Sequence, residues 1–303
     1  MSFNTPVLFL IFNRLDTTKQ VFNEIRKAKP KKLYIAADGP RNVAEKVKTD
    51  LVRKKVLEKI DWDCKVKILF RKKNLGCGKA VSEAISWFFK NEKMGIILED
   101  DCLPDSSFFY FCENLLKKYE HNSKIMHISG TNFQYNGGIK VDESYFFSKY
   151  THIWGWATWR RAWKTHDLYL KKWSQIRKNS EKFDRIFDNF EEITFFHRWF
   201  DLISKNPFTT WDVQWQFACF LNKGLAVQPN ENLVKNVGFS ADSTHTNNGR
   251  LFIQKAPLKS IWNIVHPSKI VQKKNADAFD FKRWGGTDIL FRLSDYIRNA
   301  IKI

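Results

Sequence analysis

Short apolar runs alternate with amphipathic stretches through the first 120 residues of the chain. The apolar runs predict strands at 6–12, 33–37, 66–70 and 96–98. The stretches between and after them predict an amphipathic helix following Asp16 and further helices at 43–60, 80–89 and 108–119. Strands and helices that alternate in this way form a mostly parallel sheet flanked by helices. The pattern therefore predicts an α/β, Rossmann-like fold, which binds nucleotides at its strand ends.

The fourth predicted strand stops at three consecutive carboxylates, Glu99, Asp100 and Asp101. Carboxylates this close repel one another and are partly desolvated at the end of a buried strand, so a bound cation is the natural compensation. The alternative is that Asp100 or Asp101 caps the next helix. Asp105 and Ser106 lie closer to that helix and are better placed to cap it. The triplet therefore indicates a cation site.

The third predicted strand leads into the sequence NLGCGKA at residues 74–80. Its glycines let the backbone approach a ligand closely, and the amides that open the following helix can face a phosphate. The sequence is not a P-loop, because Lys73 and Ala80 replace the glycine and the hydroxyl residue that a P-loop requires. A plain glycine-containing turn is the alternative.

Eight of the twelve tryptophans lie between Trp154 and Trp215. Indole rings suit sugar rings as well as protein cores, and we expect most of these rings to be core and two or three to face a ligand. Asp212 stands at the start of a helix predicted to run to Asn222, where its alternative role is that of an N-cap or first-turn acid. The small polar residues at 237–249 indicate a loop.

Composition narrows the class of protein. A chain of 303 residues is long enough for one large domain or two small ones, of which we expect one large domain. Its formal charge of +19 implies an anionic partner. Nucleic acid, anionic lipid and phosphorylated small molecules all fit, with nucleic acid the least favoured. The five cysteines are scattered and odd in number, as expected for reduced cytosolic thiols. Neither a signal peptide nor a membrane-spanning segment is predicted, so the expected location is the cytoplasm.

The motifs, in this order along the chain, resemble those of GT-A fold nucleotide-sugar glycosyltransferases, and more closely the inverting N-acetylglucosaminyltransferase I family. The likeness covers roughly residues 5–246. It rests on the pair Asn13-Arg14 after the first strand, the segments IAADG, EDD with PDSSFF, IWGWATW and WDVQW, and the pair Ser243 and His245. The segment NLGCGKA is similar to a loop of bacterial polysaccharide transferases.

The resemblance implies a metal-dependent, inverting transfer from a UDP-sugar to a saccharide or lipid-linked saccharide acceptor. It implies that Asp101 binds Mn²⁺ or Mg²⁺ and that Asp212 is the catalytic base. The implied donor-binding residues are Arg14, Asp38, Asn74, Lys79, Glu99, Asp100 and His245. The implied acceptor-binding residues are Trp154, Trp156 and Trp211.

The chain departs from the family at several points. Asn13 replaces an acid, and WDVQW has one aspartate where the family has two, which leaves the register of the base open. The Golgi membrane anchor is absent, so the resemblance implies a bacterial cytoplasmic enzyme of lipopolysaccharide, O-antigen or capsule synthesis. A sugar-nucleotide nucleotidyltransferase is the nearest rival, and a basic non-enzymatic protein that docks on membrane or nucleic acid is the rival from another class.

The expected organisation is a GT-A domain at 1–250 and a C-terminal helical extension at 251–303. Within the domain, residues 1–130 would bind the nucleotide-sugar and residues 131–250 the acceptor. The extension ends in an amphipathic helix from residue 287, with an apolar stripe that includes Leu290, Leu293 and Ile297. This helix either folds back on the domain, packs in a homodimer, or enters the cytoplasmic membrane interface.

Overall fold

The computed structural model of the protein describes residues 3–238 and 256–284, and these ranges contain ten strands and ten helices. The strands are β1 (Val7–Ile11), β2 (Lys32–Ala37), β3 (Lys65–Phe70), β4 (Met94–Glu99), β5 (Cys102–Pro104), β6 (Ile125–Ser129), β7 (Tyr145–Ser148), β8 (Trp156–Trp159), β9 (Leu225–Pro229) and β10 (Val234–Asn236). The helices are α1 (Leu15–Ala28), α2 (Val43–Glu58), α3 (Cys77–Asn91), α4 (Ser106–Lys118), α5 (Arg160–Trp163), α6 (Trp173–Lys178), α7 (Glu181–Asp184), α8 (Phe190–Lys205), α9 (Asp212–Leu221) and α10 (Lys274–Trp284).

Eight strands form one sheet in the order β3-β2-β1-β4-β8-β6-β9-β7, and β5 pairs with β10 beside it. The first four strands are mutually parallel, as are β6 and β9. Strand β8 runs antiparallel between β4 and β6, and β7 is antiparallel to β9. Four of these seven pairings are parallel. The predicted fold class, a mostly parallel, Rossmann-like sheet flanked by helices, is confirmed.

Alternate side chains of the central strands enter two separate cores. Val7 and Phe9 of β1 pack with α1, α2 and α4, whereas Leu8 and Leu10 pack on the opposite face with α3 and α9. Because helices cover both faces, every residue of β1 is buried and the strand reads as an unbroken apolar run. The same burial makes most of β2 and β4 read as apolar runs, whereas β3, at the edge of the sheet, is largely exposed.

The predicted element order of the first half agrees with the structure, with end points displaced by at most three residues. Helix α4 begins at Ser106, and Asp105 is its N-cap, accepting a hydrogen bond from the Ser107 amide at 2.8 Å. This confirms that Asp105, not Asp100 or Asp101, caps the helix. Helix α9 begins at Asp212, as predicted.

The described part of the predicted C-terminal extension packs against the sheet. Asp277 of α10 accepts hydrogen bonds from Ser148 Oγ at 2.5 Å and from the Lys149 amide at 3.2 Å. Asp280 lies 3.2 Å from His152 Nε2. The predicted helix from residue 287 lies outside the described residues. Across residues 3–238 and 256–284, no helix combines the length and apolar character needed to cross a bilayer.

Candidate active site

The three acids after β4, here called the acid turn (Glu99–Asp101), are held by the connection between β1 and α1. Asp100 Oδ2 accepts a hydrogen bond from the Phe12 amide at 3.0 Å. Asp101 Oδ2 accepts one from Arg14 Nη1 at 3.1 Å. Strands β1 and β4 are parallel neighbours, so their carboxyl ends meet at one edge of the sheet. The fold therefore brings the predicted residues Arg14 and Asp101 together.

The acid turn concentrates more negative charge than its surroundings neutralise. Partial burial, followed by the charges of Asp101, Asp100 and Asp212, raises the pKa of Glu99 well above its ordinary value, while Arg14 opposes this rise. Partial burial and the adjacent Asp101 charge raise the pKa of Asp100 to about 7. Mutual repulsion of this kind is relieved when a further cation binds.

Asp212 reaches the acid turn from a distant part of the chain. It is the first residue of α9, and it lies close enough for its charge to act on Glu99. Thr210 Oγ1 donates a hydrogen bond to Asp212 Oδ1, which orients the carboxylate and leaves its second oxygen for another partner. A carboxylate held in this way is suited to accept a proton from a bound hydroxyl group.

The predicted ligand loop at residues 74–80 binds Asp38 instead of presenting all its amides to solvent. The Leu75 and Gly76 amides donate to the Asp38 carboxylate at 2.9 and 3.1 Å. Asn74 Nδ2 donates to the Gly39 carbonyl at 2.7 Å. The structure thus gives Asp38 and Asn74 a defined role, which is to hold the loop against the end of β2.

Gly78 fixes the start of α3 against the segment that precedes α9. Its amide donates to the Phe208 carbonyl at 3.0 Å, and a Cβ at this position would lie 2.6 Å from the carbonyl oxygens of both Phe208 and Thr210. Only glycine permits so close an approach. Lys79 Nζ lies 5.7 Å from the centre of the Phe208 ring. These contacts set the position of Asp212 relative to α3.

Two of the three tryptophans expected to contact an acceptor are core residues. Trp156 and Trp211 are 0% and 2% exposed, and their rings stack with centroids 5.4 Å apart. They have no exposed surface for an acceptor, because β8 lies inside the sheet and carries Trp156 into the core. Trp154 is half-buried: it packs against the core cluster of β1, and its ring centre lies 5.7 Å from that of Phe133. Of the three rings, Trp154 is therefore the one that keeps exposed surface.

Two further site residues were missed by the sequence reasoning. Cys77, the exposed first residue of α3, lies within electrostatic range of Glu99 and Asp212. Gly238 packs on the acid turn so closely that a Cβ would lie 2.4 Å from Asp101 Oδ2 and 2.9 Å from Arg14 Nη1. Cys77 was within the NLGCGKA motif, but no local signal distinguishes Gly238 because its contact is made across the fold.

The donor atoms present suit a cation that takes few ligands from the protein. Within the described ranges, no three His, Cys, Asp or Glu side chains converge closely enough to form a complete metal site. Mg²⁺ and Mn²⁺ are often held by one or two carboxylates together with phosphate and water oxygens. The surplus negative charge of the acid turn fits that mode of binding. His245, the remaining predicted donor contact, lies outside the described residues.

Comparisons with known proteins give only distant likenesses. No protein-family model and no curated protein sequence matches the chain. Among solved structures, the mannosyltransferase PcManGT from Pyrobaculum calidifontis, in complex with GDP-Man and Mn²⁺, is 12% identical with a TM-score of 0.38, over 52% of this chain and 45% of that one. The chain therefore spans less than half of that enzyme.

Two other solved structures show similarly low identity and TM-score. HddC from Yersinia pseudotuberculosis is 10% identical with a TM-score of 0.33, over 52% of this chain and 77% of that one. The 4-diphosphocytidyl-2C-methyl-D-erythritol synthase from Anaerococcus prevotii is 10% identical with a TM-score of 0.37, over 55% of this chain and 76% of that one. At TM-scores below 0.5, these likenesses decide neither the activity nor the substrate of this chain.

Proposed function

We propose that this protein is a metal-dependent glycosyltransferase of the GT-A kind, which transfers a sugar from a UDP-sugar to a saccharide acceptor with inversion. The proposed setting is the synthesis of a bacterial surface polysaccharide. One observation carries the proposal: the acid turn, Arg14 and Asp212 meet at the carboxyl edge of the parallel strands, although they come from three separate parts of the chain. Such an edge is the usual ligand site of an open α/β sheet.

The charges at this edge suit a donor that carries a diphosphate. Asp101 and the diphosphate oxygens would hold Mn²⁺ or Mg²⁺, and the bound ion would neutralise the charge that develops on the leaving diphosphate. Arg14, which is 3.1 Å from Asp101, would contact the same phosphates. Glu99 and Asp100 would accept hydrogen bonds from sugar and ribose hydroxyl groups, and Lys79 would add positive charge at the start of α3.

Asp212 is the proposed general base. Its Oδ2 would take the proton of the acceptor hydroxyl as the oxygen attacks the anomeric carbon, while the bond to the diphosphate breaks and its electron pair leaves with the diphosphate. Thr210 would hold Oδ1 during this step. A single displacement of this kind inverts the anomeric centre. Trp154 would supply an apolar face to the acceptor, and Trp156 and Trp211 would support the site from the core.

The nucleotidyltransferase alternative is less well supported by the first connection of the chain. Strand β1 ends at Ile11 and α1 begins at Leu15, so only three residues join them. A nucleotidyltransferase is expected to place a longer glycine-rich loop with basic residues at this point. Because residues 12–14 contain no glycine, we favour glycosyl transfer over nucleotidyl transfer.

The variant Asp212→Asn tests the role of the base. We expect it to bind donor and metal like the wild type, as measured by thermal shift, and to lose transfer by roughly 10²-fold or more. Glu191→Gln is the matched control, because Glu191 is likewise an acid in the first turn of a helix, α8. This substitution should lower the stability of α8 by only about 0.3–1 kcal/mol. If Asp212→Asn loses donor binding together with transfer, Asp212 is a donor ligand or a structural residue, and the proposed base is wrong.

A further inference from the structure

Helix α2 has apolar residues on two opposite sides. Val52 and Val56 face the core and are at most 3% exposed. Four other apolar residues of the same helix face solvent, here called the α2 stripe: Val43 (82% exposed), Val47 (68%), Leu51 (42%) and Leu57 (38%). The first three are spaced four residues apart and so lie along one line on the helix. Contiguous exposed apolar surface of this kind is typical of interaction sites, so the stripe is a candidate for one.

Lysines flank the α2 stripe on both sides. Four of them, Lys46, Lys48, Lys54 and Lys55, belong to α2. The helix has two exposed acids, Asp50 and Glu58, and these form ion pairs with Lys46 and with Lys54 and Lys55. Lys48 has no ion-pair partner within the described residues. The stripe therefore lies in a surface of net positive charge.

A second basic surface lies on the neighbouring helix. A groove of about 760 Å³ is lined by residues of α1 and by Lys59, which follows α2, and it contains none of the proposed catalytic residues. Its basic lining residues are Arg26, Lys27, Lys29 and Lys59. The acids in the groove are Glu24 and Asp61, which pair with Lys27 and Arg26. This groove therefore also carries a net positive charge.

These observations favour one occupant over two others. A second copy of the chain would bring two surfaces of the same positive charge together. A nucleic acid would engage the lysines but would leave the four apolar side chains without a partner. An anionic bilayer suits both, because apolar side chains enter its interface while lysines contact the lipid phosphates. We propose that the α2 stripe and its flanking lysines dock the protein on an anionic membrane surface.

Docking through this face would place the candidate active site near the lipid. Helix α2 begins only a few residues after Asp38, which lies at the carboxyl end of β2. The lipid-binding face itself does not depend on glycosyl transfer. Its purpose, which is to bring the site to a lipid-linked saccharide acceptor, rests on the proposed function. The face lies on α2, whereas the sequence suggested membrane contact only as one of three alternatives for the helix from residue 287.

The test is sedimentation of the full chain with vesicles of phosphatidylglycerol and phosphatidylcholine, and with vesicles of phosphatidylcholine alone. The wild type should bind the anionic vesicles only. The double variant Val47→Glu, Leu51→Glu should bind them at least about tenfold more weakly, and Lys48→Glu, Lys55→Glu should show a similar loss that added salt reproduces in the wild type. The matched control is Phe190→Glu, since Phe190 is 79% exposed on α8 and should not affect binding.

Several results would overturn the proposal. Among them are unchanged binding by both double variants, equal binding of the wild type to neutral vesicles, and no binding at all. A wild-type dimer in solution that Val47→Glu, Leu51→Glu converts to a monomer would show that a second copy covers the stripe. Donor hydrolysis in solution should be the same in all these variants. If hydrolysis is absent from every protein while vesicle binding follows the prediction, the proposed function fails and the docking face stands.

Discussion

Replacing Asp101 by asparagine removes one negative charge from the acid turn and keeps the size of the side chain. The change breaks the ion pair with Arg14. In this pair the Arg14 side chain is 35% exposed and the Asp101 side chain is 19% exposed. A pair exposed to this degree contributes about 0.2–1 kcal/mol. The change also relieves the repulsion that raises the pKa of Glu99 and Asp100. The bond from the Val237 amide to the residue 101 carbonyl, 2.8 Å long, is retained.

The loss of the ion pair and the relief of the repulsion have opposite effects of similar size on stability. We therefore expect Asp101→Asn to change the free energy of unfolding by no more than about 1 kcal/mol without ligands, which is a shift in Tm of about 2–4 °C. With Mn²⁺ and donor at one hundred times their dissociation constants, the wild type should gain about 2.7 kcal/mol of stability. The variant should lose this gain, and its donor turnover should fall by about 10²-fold or more.

The matched control is Asp105→Asn, four residues further along. Asp105 caps α4, and asparagine is as good a cap, so stability and the response to Mn²⁺ should both stay close to those of the wild type. Differential scanning fluorimetry with and without Mn²⁺ measures both quantities. A loss of more than about 3 kcal/mol in Asp101→Asn without ligands would mean that Asp101 is structural. A full response to Mn²⁺ in that variant would refute the metal assignment.

Three further substitutions test the contacts around the site. Gly78→Ala should lower the free energy of unfolding by about 1–3 kcal/mol and reduce transfer, because its Cβ would press on the Phe208 carbonyl. Thermal melts of the variant and the wild type measure this loss. Gly238→Ala should displace the Asp101 carboxylate, so the concentration of Mn²⁺ needed for half-maximal turnover should rise while Tm changes little. Asp277→Ala should cost about 2–4 kcal/mol in urea unfolding, because Ser148 and Gln272 lose the carboxylate to which they donate; unchanged stability would show that α10 is not anchored there.

The sequence was most informative where the pattern is local. Strands buried on both faces read as apolar runs, and the alternation with helices predicts that their carboxyl ends share one edge. The meeting of Arg14 with the acid turn follows from that order, because β1 and β4 are neighbours in the sheet. The capping role of Asp105 is likewise a local property of the residues that precede α4.

Contacts between segments that are distant in the chain could not be predicted from the sequence. The insertion of β8 between β4 and β6 buries Trp156, although the surrounding sequence gives no sign of whether an indole is core or surface. The Asp38 carboxylate accepts hydrogen bonds from amides 37 and 38 residues away, and nothing in the sequence around Asp38 indicates these contacts. Gly238 reaches Asp101 only through the pairing of β10 with β5. Such contacts depend on the completed fold.

The proposed function requires that the site at the acid turn transfers a sugar from a nucleotide-sugar. The most direct measurement is the release of nucleoside diphosphate by the wild-type protein from a panel of UDP- and GDP-sugars, with Mn²⁺ and with chelator. We predict that one donor releases its nucleoside diphosphate only with the metal and that Asp101→Asn abolishes this release. The proposed function is wrong if no donor is turned over or bound, or if the protein instead releases pyrophosphate from a nucleoside triphosphate and a sugar phosphate.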